Sequence, residues 1–251
     1  MLALKLGLSL ESNARVDSGF DNKYSLTYDG IDDYLALSAS ADPLTPMEVS
    51  GSTGWSFSIW VKTGTSKSIF SKNIGGQSEY WLYVRSNGQP IFYLYDEAAG
   101  GNITLNLNTS IGDSNWHHLV FTWDGDPTGE RKWYLDGDEK VSTTGGSGTF
   151  DSVQQTTAEF RMGYGNGSYS AIIQDEFSVF RKVLSSTEVT TLYNSGIPSK
   201  VTEISHCTGW WRNGDPSGAS VYPTIADDSP NDNPGTMNNM ASGDIITDVP
   251  S

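Results

Sequence analysis

A single cysteine, Cys207, stands in 251 residues. That excludes a disulfide framework within the chain and any zinc site built from several thiolates. Positive charge is scarce too: 15 lysines and arginines face 30 aspartates and glutamates, a formal net charge of −15. With no cationic surplus to displace phosphate counterions, nucleic acid is excluded as a default partner. Anionic lipid is disfavoured on the same ground. No apolar run approaches the ~20 residues of a membrane-spanning helix. Calcium, neutral glycans and other proteins stay open as partners.

What the chain has in quantity is glycine, with 27 residues, and aromatic side chains, at 12%. The length allows one large domain or a domain with an appendage, and suffices for a sizeable core. Leucine occupies every even position of the N-terminus: Leu2, Leu4, Leu6, Leu8 and Leu10. Lys5 inside that stretch, and the lack of a basic leader, speak against an export signal. Strict alternation predicts a half-buried strand. Its apolar edge is expected to act as an assembly arm, because an unpaired strand invites association.

From about residue 21 to 198 the sequence is a run of short aromatic and β-branched segments separated by Gly, Asn and Asp. Trp55, Phe57, Ile59 and Val61 alternate with Ser56, Ser58, Trp60 and Lys62. Ile69-Phe70, Tyr80 to Arg85, Ile91 to Tyr95, Trp116 to Trp123, Lys132 to Leu135, Phe160 to Tyr164 and Ile172 to Phe180 are further strands. Asn87-Gly88 marks the turn between two of them. Many short strands at this spacing predict an all-β sandwich or barrel. A parallel α/β fold is excluded, because no helices separate the strands. One helix is expected after Ser185, which with Glu188 has capping-box spacing. Gly196 and Pro198 are expected to stop it.

Several of these stretches resemble the laminin G-like branch of the concanavalin A-type jelly rolls. They are Leu26 to Tyr34, Phe57 to Lys62, Trp116 to Trp123, Trp133 to Gly137, and Ile173 to Phe180 followed by Leu184-Ser185. The resemblance implies an antiparallel two-sheet jelly-roll sandwich with one short helix. Trp210 to Asp215 and Ile225 to Met237 look like the opening of such a domain, yet here they come last. The expected organisation is therefore an N-terminal β arm (1–20), a laminin G-like sandwich (21–198) and a C-terminal segment (199–251). That last segment would complete a sandwich, its own or a neighbour's. The whole arrangement also looks like proteins encoded by marine tailed phages. This likeness implies a virion location, with other capsid or tail proteins as partners in a homo-oligomer.

Catalysis finds little support. Jelly-roll glucanases of the laminarinase type carry paired carboxylates on one strand face, and no glutamate here is followed two residues later by aspartate. Asp175 and Glu176 are adjacent, which on a regular strand turns them to opposite faces. His117 and His118 are related in the same way. No Gly-x-Ser-x-Gly suggests a nucleophile elbow. Calcium wants six to eight oxygens, and Asp29, Asp32, Asp33, Asp175 and Asp227 stand where laminin G-like relatives tend to be acidic. The same aspartates also suit turns. Trp81, Tyr83, Tyr93 and Tyr95 could line one sheet face for a glycan, with Arg85 and Asn87 at the rim. They could equally fill core or a subunit interface, as Trp55, Trp116 and Trp133 are expected to fill core. With catalysis set aside, the resemblance to phage-encoded proteins implies a non-enzymatic virion surface protein, a capsid decoration or fibre component. Its alternative is a calcium-dependent glycan-binding adhesin.

Overall fold

The computed structural model describes residues 20–37, 54–74, 76–153, 155–201, 204–213 and 221–251. The expected assembly arm, Leu2 to Leu10, lies outside the described residues. Nineteen strands follow in order among the described residues. They begin with β1 (Ser25–Thr27), β2 (Tyr34–Leu37), β3 (Trp55–Thr63), β4 (Lys67–Ile74), β5 (Gln77–Val84), β6 (Pro90–Asp96) and β7 (Gly101–Leu107). Next come β8 (Trp116–Trp123), β9 (Arg131–Leu135), β10 (Asp138–Lys140), β11 (Ser142–Ser147), β12 (Phe160–Met162), β13 (Tyr164–Gly165) and β14 (Ser168–Tyr169). Then β15 (Ile172–Phe180), helix α1 (Ser186–Tyr193), β16 (Cys207–Trp211), β17 (Thr224–Ile225), β18 (Gly235–Asn238) and β19 (Ile245–Ile246) complete the chain.

Two antiparallel sheets form the sandwich. One runs β10-β9-β8-β3-β15-β1-β19, with β16 also paired to β15; the other runs β11-β7-β6-β5-β4-β12-β2-β18-β17. Their inner faces enclose one aromatic core. Phe57 lies within 5.1–5.9 Å of Phe70, Phe92, Phe121, Trp55 and Trp133, mostly in edge-to-face contact. Burying each such ring stabilises the fold by about 1.5–3 kcal/mol. Trp55 and Trp133 fill this core, but Trp116 does not. It is half-buried, and its indole donates to Asp248 Oδ1 at 2.9 Å.

Strand β3 is buried on both faces, although its alternation predicts one face in solvent. A second apolar cluster covers its outer side, with Val189 and Leu192 of α1 beside Leu184, Val201, Ile204 and Trp210. Trp60 stacks on His118 at 4.8 Å and on Tyr193 at 5.7 Å. The helix begins as its capping box requires: Glu188 N–H donates to Ser185 Oγ, and Ser185 N–H donates to Glu188 Oε2.

The C-terminal strands pair with the same chain's sandwich. β16 lies along β15, β18 along β2 and β19 along β1. Trp211 enters the main core and stacks on Phe177 at 5.6 Å. Asp227 fastens the segment: its carboxylate accepts from the N–H groups of Trp210, Ser229 and Asn233 and from Ser229 Oγ, at 2.8–3.0 Å.

Candidate functional site

Alternation along β5 and β6 divides their side chains. Leu82, Val84, Phe92 and Leu94 enter the core, and Trp81, Tyr83, Tyr93 and Tyr95 take the other side, half-buried. Antiparallel register places Trp81 opposite Tyr93 and, on its other side, opposite Ser71. Trp81 lies 5.2 Å from Tyr93 with ring planes 19° apart, and Tyr93 lies 5.8 Å from Tyr95 at 9°. Tyr83 leans on Trp81 at 4.8 Å. At these separations near-parallel rings overlap in part. The four therefore form a continuous stack showing edges and partial faces, rather than a flat platform. Burial, with Tyr93 and Glu97 adding to it, pushes the Tyr95 phenol well above its ordinary range, so it stays a neutral donor.

Arg85 takes a different role from the one its position suggests. Its guanidinium donates to Gln89 Oε1 at 2.8 Å and so ties down the β5–β6 turn.

The hairpin β13–β14 stands beside the stack. Asn166 and Gly167 at its tip both have positive φ, 49° and 80°, as an Asn-Gly two-residue turn requires. Several bonds fix it to β4: Ser68 N–H donates to Ser170 Oγ, Ser71 Oγ donates to the Tyr164 carbonyl, and Gly163 N–H donates to the Ile69 carbonyl. Arg161 braces it from behind, 4.2 Å from the Tyr34 ring and 5.2 Å from Tyr164, with its charge met by Glu159 at 2.7 Å. The Trp81 indole donates to Ser68 Oγ at 2.9 Å. A Cβ on Gly165 would fall 2.4 Å from that indole nitrogen, so glycine is what lets the ring lie there.

Between hairpin and stack lies an open hollow of about 190 Å³, bounded by Ser66, Trp81, Tyr83, Asn166, Ser168 and Tyr169 among others. Ser66, Asn166, Ser168 and Tyr169 were missed by sequence reasoning. The signal that could have found three of them was Asn166-Gly167 between short polar-aromatic pairs.

The expected metal ligands do not gather as one set. Asp29, Asp32 and Asp33 converge, with one carboxylate oxygen of each within 4.8 Å of the others. Asp33 is nearly buried, and burial followed by the neighbouring Asp29, Asp244 and Asp32 charges raises its pKa. Part of the cluster closes its own loop. Asp29 Oδ1 accepts from Ile31 N–H, and Asp33 Oδ2 accepts from Asp29 N–H. The remaining hard oxygens suit a calcium ion in donor type.

Asp175 is wholly buried and accepts from Asn22 Nδ2 and Glu176 N–H. Asp227 is committed to the C-terminal segment. A bulge sets Glu176 and Phe177 opposite Ile59 alone, with Glu176 at φ 49°, and breaks the regular alternation expected there. The buried Glu176 accepts from the Trp210 indole at 2.5 Å and from Arg212 Nε at 3.3 Å.

The family model for the concanavalin A-like lectin/glucanases superfamily matches residues 29–190. No curated protein matches the chain in sequence. Among solved structures, a Bacteroides ovatus ATCC 8483 protein to which carbohydrate binding is ascribed superposes with TM-score 0.61 at 14% identity, over 91% of this chain and 61% of its own. The chain thus spans less than two thirds of that protein. A heptameric SAP-like pentraxin of Limulus polyphemus is 15% identical, with TM-score 0.45 over 69% of this chain and 83% of its own. A botulinum neurotoxin type C structure, concerned with two ganglioside molecules, is 16% identical, with TM-score 0.45 over 68% and 42%. At such identities the likeness is one of fold alone.

Proposed function

This chain belongs to the concanavalin A-like lectin/glucanases superfamily, and on that footing we propose that it is a non-enzymatic carbohydrate-binding module. One observation carries the reading. The solvent side of the nine-stranded sheet holds a continuous aromatic stack, Tyr83-Trp81-Tyr93-Tyr95, beside a polar hollow. Aromatic surface with a few placed polar groups is the composition of a small-molecule site. A sugar's C–H face packs on rings while its hydroxyls take the polar partners. Glu79, the carboxylate nearest Trp81 in sequence, is fully buried and paired with Lys72 at 2.7 Å, which leaves it unsuited to acid–base work on a bound glycan.

Calcium is proposed as a structural ion at Asp29, Asp32 and Asp33, where the carboxylate oxygens converge. Display on a virion surface remains a proposal supported by the order of the sequence segments. The adhesin reading is the one the aromatic face favours.

Titration of a glycan panel by calorimetry tests the function. Trp81→Ala should weaken binding at least tenfold while leaving the melting temperature within a few degrees, since the ring is half-buried. Unchanged binding in both Trp81→Ala and Tyr93→Ala would remove the stack from the site.

A further inference from the structure

The hollow between the stack and β13–β14 is neutral. Among the described residues, none of its lining side chains is Asp, Glu, Lys, Arg or His. Of the cations on the flanking elements, Arg85 is engaged with Gln89 and Arg161 with Glu159, and Lys67 pairs across from the core residue Val84, while Ser68 pairs with Tyr83. The chain as a whole carries −15, and such a net charge repels an anionic ligand unless a local cation offsets it.

The polar groups divide into two tiers. At the floor, Ser68 and Ser170 are buried and already bonded, Ser68 Oγ to the Trp81 indole and Ser170 Oγ to Ser68 N–H. At the rim, Ser66, Asn166 and Ser168 are exposed, and their side chains make no hydrogen bond among the described residues. The rim therefore offers two hydroxyls and one amide, each able to donate and accept, around walls of indole and phenol. The hollow, about 190 Å³ and open on its solvent side, has room for one sugar ring. The hairpin's bonds to β4 and its Asn-Gly turn hold this arrangement ready before any ligand arrives.

Resting on the carbohydrate-binding reading, we propose that this hollow is a subsite for one neutral hexopyranose unit of a glycan. The ring packs against Trp81 and Tyr83, and Ser66, Asn166 and Ser168 take its hydroxyls. Uronic, sialylated and sulfated units are rejected because their charge finds no partner there.

The test uses the full chain on an array of neutral, sialylated, uronate-bearing and sulfated oligosaccharides, with competition by methyl hexopyranosides. The rim is emptied in Ser66→Gly/Asn166→Gly/Ser168→Ala. Glycine is chosen at the first two positions because φ is 58° and 49° there, where alanine would strain the backbone. Losing two or three hydrogen bonds should weaken neutral-glycan binding about tenfold or more. A free methyl hexopyranoside should compete, and charged glycans should not bind. Three results would overturn the proposal. Rim-variant binding equal to wild type, with Trp81→Ala still damaging, would keep the stack as the site and remove the subsite. A preference for anionic glycans would remove the neutrality. Absence of binding to every glycan would bring down the carbohydrate reading itself, and the subsite with it.

Discussion

Lys72 and Glu79 meet at 2.7 Å inside the sandwich, each side chain only 1% exposed. A bulge in β5 brings this about, since register shifts between the Lys72–Tyr80 and Asn73–Ser78 pairs. Glu79 also accepts from Thr156 N–H, which draws the 155–157 loop over the sheet edge. Burial raises the Glu79 pKa, with Lys72 and Thr156 opposing the shift. Removing one partner of a buried pair costs about 3–5 kcal/mol, because the other charge stays in a medium that solvates it poorly. Lys72→Met should therefore lose about that much, a fall of about 6–20 °C in melting temperature for a chain of this size. The double variant Lys72→Met/Glu79→Leu leaves no charge behind and should recover most of the loss. Urea denaturation followed by tryptophan fluorescence reads both effects as a change of midpoint at constant slope. A single-variant loss under ~1 kcal/mol is what a solvated surface pair gives. That result, or a double variant no better than the singles, would refute a dry pair.

Three further outcomes follow from other buried groups. His118 is held neutral by burial, its pKa pushed down to about 3, while the unfolded chain titrates near 6.5. The unfolded state thus takes up the proton first, so this stability is full above pH ~6.5 and is lost as pH falls toward 3, in all roughly 5 kcal/mol. His117, raised by Asp136 and Asp113, acts in the opposite sense and fades as pH rises through its raised value. A His118→Asn variant with undiminished acid sensitivity between pH 6.5 and 4 would contradict the first claim. Asp227→Ala should cost about 2–4 kcal/mol, since it strips buried N–H donors of a charged acceptor. Hydrogen exchange should quicken in β16 and the 227–233 loop before it does in β3, and unchanged protection would sink that assignment. Calcium at a hundredfold excess over its Kd should stabilise the fold by about 2.7 kcal/mol, and Asp33→Asn should abolish the effect. Identical melting with calcium and with chelator would remove the ion.

Much of the sandwich was legible because β3, β5, β6 and β8 are short aromatic and β-branched runs between turn residues, and the Ser185 capping box is local chemistry. Strand β11 was not, since Ser142–Ser147 is built from Ser, Thr and Gly and finds its place through pairing with β7; β7 was passed over although Ile103, Leu105 and Leu107 alternate along it, because Asn and Thr stand between them. Trp116 was expected in the core because large rings usually are; it lies at the strand's first residue, where Asp248 arrives from far along the chain. The bulge at Glu176 could not be read from a pattern that assumes regular pleating. The aromatic stack was visible as a period-two pattern, but the choice between core and exposed face depended on whether another layer covers it. The eight-stranded sheet has such a layer in α1. For Trp81, Tyr83, Tyr93 and Tyr95 the described residues leave the rings half-buried.

The most direct measurement follows the indole N–H resonances of the eight tryptophans by proton–nitrogen correlation during titration with a neutral oligosaccharide. The Trp81 signal, identified by its loss in Trp81→Phe, should shift saturably while those of the core residues Trp55, Trp133 and Trp211 hold still. A saturable shift confined to another tryptophan, or no shift at ligand concentrations where calorimetry records binding, would place the sugar elsewhere and contradict the assignment.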